Sequence, residues 1–115
     1  MSEFDFEQVA QKALDFRNER DWKQFHNPKD LALSISLEAA ELLELFQWSG
    51  TDLEVEQKKP EMADELADVL IYCVYMADAM GVDIPEIMAS KLAQNAEKYP
   101  VELAKGSASK YTELR

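Results

Sequence analysis

Two stretches of the sequence decide the fold: residues 36–46 read SLEAAELLELF, and residues 64–74 read DELADVLIYCV. Both have the apolar content of a buried helix. Each also carries two acidic residues three positions apart, namely Glu38 with Glu41 and Glu65 with Asp68. Moving an ionised carboxylate out of water costs free energy, so acidic residues in such apolar segments require a partner.

The helical period places these acidic residues on the apolar faces. At about 100° per residue, Glu38 lies in the middle of a stripe of leucines, and Glu41 lies roughly 60° to one side. Glu65 lies in the middle of the second stripe, and Asp68 is about 60° round from it. The sequence therefore predicts two helices that present the same pair of carboxylates, while Glu44 lies farther round and is interpreted as a solvated charge.

Three kinds of partner are open to these carboxylates. Lysine or arginine could neutralise them, and Lys91 and Lys98 are the nearest candidates along the chain. The carboxylates could instead share protons, which is rarer. They could also bind a hard divalent cation, Mg²⁺ or Mn²⁺, for which carboxylates on facing helices are natural ligands. A solvated acidic face is the plain alternative, and two pairs in the middle of apolar stripes weigh against it.

Composition limits the class of protein. The 115 residues predict a single domain over 1–115, and three glycines with four prolines favour an all-α fold. A net charge of −11 disfavours binding to a nucleic-acid polymer. One cysteine, the absence of a signal-peptide pattern and an apolar run broken by Asp78 lead us to expect a cytoplasmic protein that does not enter a membrane.

Capping and breaking residues predict four helices. The first covers residues 4–20. The second begins at Pro28, behind an Asn27 cap, and runs to about Trp48, before Gly50. The third begins at Pro60 and is terminated by Gly81; the fourth is capped by Asp83, with Glu86 three residues on, and ends before Pro100. Residues 101–115 show no periodicity and are expected to form a tail.

The acidic pattern resembles a known family. E-x-x-E followed by E-x-x-D is similar to the MazG-type nucleotide pyrophosphohydrolases, an all-α family of NTP pyrophosphatases. The resemblance is sharpened by four further segments: ERDWKQFHNPKDL, ELFQW, DELADVLIY and KYP with KGSASKYTEL. Together they resemble the dCTP pyrophosphatase branch over about residues 15–115.

The resemblance implies a four-helix-bundle fold, assembled as an oligomer, and a reaction. A deoxynucleoside triphosphate is cleaved between its α and β phosphates to the monophosphate and pyrophosphate, a house-cleaning activity on the nucleotide pool. The residues that would hold Mg²⁺ are Glu38, Glu41, Glu65 and Asp68. A water near them would attack the α phosphorus, and Glu41 is the favoured proton acceptor, with Glu38 as the alternative.

Substrate contacts follow from the same resemblance. The nucleotide-facing loop would consist of Trp22, Lys23, Gln24, Phe25 and His26. Trp48 and Tyr72 match further contact positions, and the phosphate-facing side of the fourth helix would carry Lys91, Asn95 and Lys98. The aromatic rings can stack a base and His26 can donate a hydrogen bond, although such residues also serve commonly as core or structural residues.

Two other classes of protein remain open from the residues alone. One is a helical module that binds a nucleotide or metal without turnover, and the other is a helical interaction protein with solvated charges. Leu33 and Leu43 lie opposite Glu38, and Leu70 and Val74 lie opposite Glu65, so both helices are apolar almost all round. We therefore expect a homo-oligomer built on a dimer, with a dimer of dimers favoured.

Overall fold

The structure is a computed structural model that describes residues 4–114. Within that range it contains helices and turns and no strand, which confirms the all-α prediction. The helices are α1 (Phe6–Glu19), α2 (Pro28–Glu44), α3 (Lys59–Met80), α4 (Ile84–Lys98) and the short α5 (Val101–Ala104). The chain divides into two compact units, one up to Gly81 and one from Val82 onward. Among the described helices, none combines the length and apolar content needed to cross a membrane.

The predicted caps set the helix ends. The Asn27 side chain accepts a hydrogen bond from the Asp30 backbone N–H at 2.9 Å, which satisfies a free donor at the start of α2. Asp83 does the same for Glu86 at 3.1 Å at the start of α4. Gly81 ends α3 with a φ of 69°, a left-handed conformation in which a Cβ atom is disfavoured. These helix boundaries were predicted correctly.

The end of α2 was predicted wrongly. The α-helix stops at Glu44 rather than near Trp48. The N–H groups of Leu45, Phe46 and Gln47 donate to the carbonyl three residues back, at 3.3, 3.0 and 3.1 Å. Such bonds are those of a tighter helix, so the apolar period continues past the last α-helical turn.

The C-terminal tail carries more structure than its sequence predicted. It contains α5 and a 3-10 turn at Tyr111–Glu113. The Tyr111 ring lies edge-on to Tyr99, with centroids 6.0 Å apart, and the Lys98 ammonium lies 4.9 Å from its centroid. These aromatic and cation–π contacts hold part of the tail without any apolar periodicity.

Helix α3 is the centre of the first unit, since both α1 and α2 pack against it. The core there is formed by Leu31, which is 1% exposed, together with Tyr75, Ala77 and Val74. Val74 was expected on an outward face, but at 8% exposure it is covered within this unit. The connection between α2 and α3 is fixed by buried Val55, whose backbone N–H donates to the Asp52 side chain at 3.1 Å.

Candidate active site

The contact between α2 and α3 brings three of the predicted carboxylates together. Glu38 comes from α2, and Glu65 and Asp68 come from α3. One carboxylate oxygen from each lies within 4.8 Å of the others. Glu38 and Glu65 are half-buried and Asp68 is exposed, so the cluster has a buried side and an open side.

Glu41, the fourth predicted carboxylate, borders this cluster and is exposed. It is near enough to Glu38 and Glu65 to raise the pKa of both carboxyl groups. Ionised carboxylates are acceptors only, so neighbouring carboxyl groups can share a hydrogen bond only when one of them is protonated. Without a cation, the arrangement therefore favours proton retention.

The electrostatics agree with that conclusion. Burial, and then the hydrogen bond and negative charge of Glu41, raise the pKa of Glu38 above its ordinary value of 4.5. The same causes, in the same order, raise the pKa of Glu65. The charge of Asp68 raises both pKa values further.

The donor set fits a hard divalent cation. Glu38 Oε2 and Glu65 Oε2 are buried and have no hydrogen-bond donor. No lysine or arginine among residues 4–81 forms an ion pair with any of the four carboxylates. Buried oxygens that lack a donor and face other carboxylates are the ligands that Mg²⁺ and Mn²⁺ prefer.

The loop before α2 is a short 3-10 turn, Lys23–Phe25, between Trp22 and His26. Trp22, Phe25 and Lys23 are all exposed. The Gln24 amide nitrogen, however, already donates to Asp21, to the backbone oxygen and to the carboxylate, both at 3.0 Å. The amide N–H groups of Gln24 are therefore already used in hydrogen bonds to Asp21.

His26 is the half-buried member of the loop. Its ring packs against Tyr75, with centroids 5.0 Å apart, and its Nδ1 atom is buried with no hydrogen-bond partner. Burial, and then the positive charge of Arg17, lower the pKa of His26 below 6.5. The imidazole is therefore neutral at pH 7 and presents one donor and one acceptor.

The remaining predicted contact residues lie in two regions. Tyr72 is half-buried on α3, one turn after Asp68, and Trp48 is 88% exposed in the turn after α2. The three residues on α4, in the second unit, are Lys91, Asn95 and Lys98. In the first unit lie the carboxylates, the loop Trp22–His26, Tyr72 and Trp48; Lys91, Asn95 and Lys98 lie on α4 in the second unit.

Sequence reasoning missed an ion pair next to the loop. Arg17 on α1 is 3% exposed, and its Nη1 donates to Asp78 Oδ2 on α3 at 2.8 Å. Both residues line a cleft of about 440 Å³ that Lys23 and His26 also line. A signal was available, because Arg17 follows Ala13 at helical spacing on an apolar stripe where a charge is out of place.

We predict that Glu38→Gln stabilises the cation-free protein, and more at pH 7 than at pH 4. A carboxyl group whose pKa is raised by folding contributes stability below its unfolded pKa, about 4.5, and that contribution is lost as the pH rises through the higher folded pKa. Glutamine has no charge to lose. Thermal unfolding in a chelator at both pH values measures the difference in melting temperature between variant and wild type.

The matched control is Glu44→Gln, which removes an exposed charge from the same helix outside the cluster. Its melting-temperature difference should vary less with pH than that of Glu38→Gln. Equal pH dependence for the two variants would show that folding does not raise the pKa of Glu38.

Known proteins resemble this chain in sequence over most of its length. The chain matches the model of the MazG-like family over residues 33–114. It is 42% identical to dCTP pyrophosphatase 1 of Mus musculus over 113 residues, and 42% identical to the Homo sapiens protein over 114 residues. Each alignment covers 94% of this chain and 66% of the relative, so the chain spans slightly less than two thirds of their length.

A solved structure shows the same likeness. A pyrophosphatase from Archaeoglobus fulgidus superposes with a TM-score of 0.76 at 43% sequence identity, covering 82% of this chain and 91% of that chain. The family model includes both acidic pairs on α2 and α3 and continues through α4 into the tail. On these matches, together with its all-α fold, the chain belongs to the MazG-like family.

Proposed function

We propose that this chain hydrolyses deoxynucleoside triphosphates between the α and β phosphates, releasing a monophosphate and pyrophosphate. The preferred substrate is dCTP or a related nucleotide, and the reaction clears the nucleotide pool of the cytoplasm. The observation that carries the proposal is the cluster of Glu38, Glu65 and Asp68 within 4.8 Å. The relatives named dCTP pyrophosphatase 1 support the choice of reaction and substrate.

The cluster would hold Mg²⁺, with Mn²⁺ as a substitute. Glu38, Glu65 and Asp68 are the ligands supported by the geometry, and Glu41 is near enough to raise the pKa of two of them. When bound, such a cation neutralises charge on phosphate oxygens and on the departing pyrophosphate. The carboxylates themselves provide an anionic surface that a triphosphate would not approach unaided.

Glu41 is the proposed proton acceptor. Its carboxylate is exposed and lies outside the closest group of three, so its oxygens are available to a water molecule. Glu38 and Glu65 each keep one oxygen buried without a donor. Glu38 and Glu65 would therefore act as inward-facing ligands, with the exposed Asp68 completing the group, while Glu41 would orient the attacking water and take its proton.

Aromatic residues supply the proposed base-binding surface. Much of the surface of Trp22, Phe25 and Trp48 is exposed. Burying such large apolar rings is favourable, so a bound base that covered them would be stabilised. Stacking on a base is worth roughly 1–3 kcal/mol and tolerates any base. Lys91, Asn95 and Lys98 are retained as the proposed phosphate-facing row, and Tyr72 as a further contact.

The first experiment incubates the protein with Mg²⁺ and a panel of nucleoside triphosphates and measures pyrophosphate. We expect release from dCTP or a related nucleotide, and a fall to background in Glu38→Gln because the cation loses a buried ligand. Glu44→Gln is the control and should retain activity. A folded wild type that binds nucleotide, with a thermal shift, but releases no pyrophosphate would instead identify a non-catalytic binding module.

A second experiment separates affinity from base selection. Trp48→Ala should raise KM for all triphosphates similarly, because stacking discriminates weakly among bases. His26→Ala should change the ranking among bases, or the turnover of the best one. A site that hydrogen-bonds a base rejects other bases strongly, because they leave its polar groups unpaired. Gln24 is expected to contribute less, since its donors are already used by Asp21. Equal losses across all bases in both variants would place selectivity elsewhere.

The proposed enzyme is a homo-oligomer built on a dimer, with a dimer of dimers favoured. Leu43 is 69% exposed and lines a depression of about 390 Å³ with Ala40 and Phe46 on the surface of α2 and its following turn. Leu33 on α2 and Leu70 on α3 are also exposed. A protein this small gains stability by covering such faces with another copy.

Light scattering tests this proposal at micromolar protein concentration. We expect a mass of two or four chains for the wild type and a lower mass for Leu43→Glu, because a charge in an apolar interface is unfavourable. Leu53→Glu, at an exposed leucine in the connection before α3, is the control and should keep the wild-type mass. A monomer mass for the wild type would refute the assembly.

A further inference from the structure

Arg17 is the only charged residue that is buried among residues 4–114. Its Nη1 donates to Asp78 Oδ2 at 2.8 Å, and its Nε donates to Asn18 Oδ1 at 3.1 Å. A buried guanidinium loses its hydration, so it persists only where hydrogen bonds replace the lost water. The ion pair joins α1 to the last turn of α3, which are 61 positions apart in sequence.

The backbone of Arg17 also holds the beginning of the nucleotide loop. Its carbonyl accepts from the Trp22 N–H at 3.1 Å, and the Asn18 carbonyl accepts from the Asp21 N–H at 3.1 Å. Asp21 adopts a left-handed φ of 55°. This pair of bonds is the Schellman arrangement that ends a helix, here with aspartate where glycine is usual. The position of Trp22 is thereby fixed by a bond to Arg17.

The side chain of Arg17 reaches the other end of the loop through Tyr75. The guanidinium carbon lies 5.7 Å from the Tyr75 ring centroid, and the His26 ring also packs against Tyr75, at 5.0 Å between centroids. Tyr75 is itself fixed, because its hydroxyl donates to the Ala13 carbonyl on α1 at 3.1 Å. Arg17 thus contacts both the first residue of the loop and the ring that supports the last.

We propose that Arg17, oriented by Asp78, is a positioning residue that sets how the loop Trp22–His26 is presented to the nucleotide. It does not touch the reacting atoms and is not a catalytic residue. The kinetic part of this proposal rests on the proposed pyrophosphohydrolase activity, whereas the placement of the loop can be measured without it. The carboxylates lie on α2 and α3, so misplacing the loop should affect substrate binding more than the chemical step.

The test compares three variants. Arg17→Met with Asp78→Leu replaces the ion pair by apolar side chains, a change that usually preserves folding while it removes the directed hydrogen bonds. Arg17→Lys retains the charge but not the planar fork that bonds Asp78 and Asn18 together. Lys12→Gln removes one exposed positive charge from the same helix and is the matched control.

In steady-state kinetics with Mg²⁺ and the best triphosphate, we expect the double variant to lose about tenfold to a hundredfold in kcat/KM, mostly through KM. Arg17→Lys should lose less, and Lys12→Gln should match the wild type. Thermal unfolding must show the double variant folded at the assay temperature. If it does not fold, Arg17→Lys serves as the test, and its smaller loss should also be mostly a rise in KM.

A second measurement is independent of activity. His26 is the only histidine, so its ring protons give unambiguous NMR signals, and their Overhauser contact with Tyr75 reports the loop position. We expect this contact to weaken in the double variant and in Arg17→Lys and to persist in Lys12→Gln. Unchanged KM and an unchanged contact in folded variants would overturn the proposal. If the wild type releases no pyrophosphate, the proposed function fails, but the contact still decides whether Arg17 positions the loop.

Discussion

Repulsion among the carboxyl groups of Glu38, Glu65 and Asp68 is the constraint around which the first unit is organised. Apolar packing of α2 on α3, with Leu31 fully covered, holds these groups together although their charges and desolvation oppose it. The same burial and repulsion raise the pKa values of Glu38 and Glu65. A divalent cation bound by these groups would offset the repulsion, so its binding would also stabilise the fold.

Helix α3 connects the parts of the site. Along successive turns it carries Glu65 and Asp68, then Tyr72, Tyr75 and Asp78. Tyr72 and Tyr75 meet edge to face, with centroids 5.8 Å apart, and Tyr75 in turn supports His26. Helix α3 thus carries two of the three clustered carboxylates and also the tyrosine that packs against the last residue of the loop, which favours accurate relative placement.

Local features of the sequence predicted most of the fold and the acidic site. The helix starts at Asn27 and Asp83 follow from capping chemistry within three residues, and the carboxylates follow from helical period. Features that depend on distant contacts were missed. The Arg17–Asp78 pair joins positions 61 apart, and Val74 is covered by packing that a single helical wheel does not contain. The tail likewise depends on contacts between side chains, not on periodicity.

Anomalous diffraction from crystals grown with Mn²⁺ tests the central claim, that the α2–α3 carboxylates exist to hold a divalent cation. The account predicts an anomalous peak within coordination distance of oxygens from Glu38, Glu65 and Asp68, with Glu41 at its edge. A peak bound elsewhere, or carboxylates paired with lysine or arginine in a crystal saturated with Mn²⁺, would contradict it.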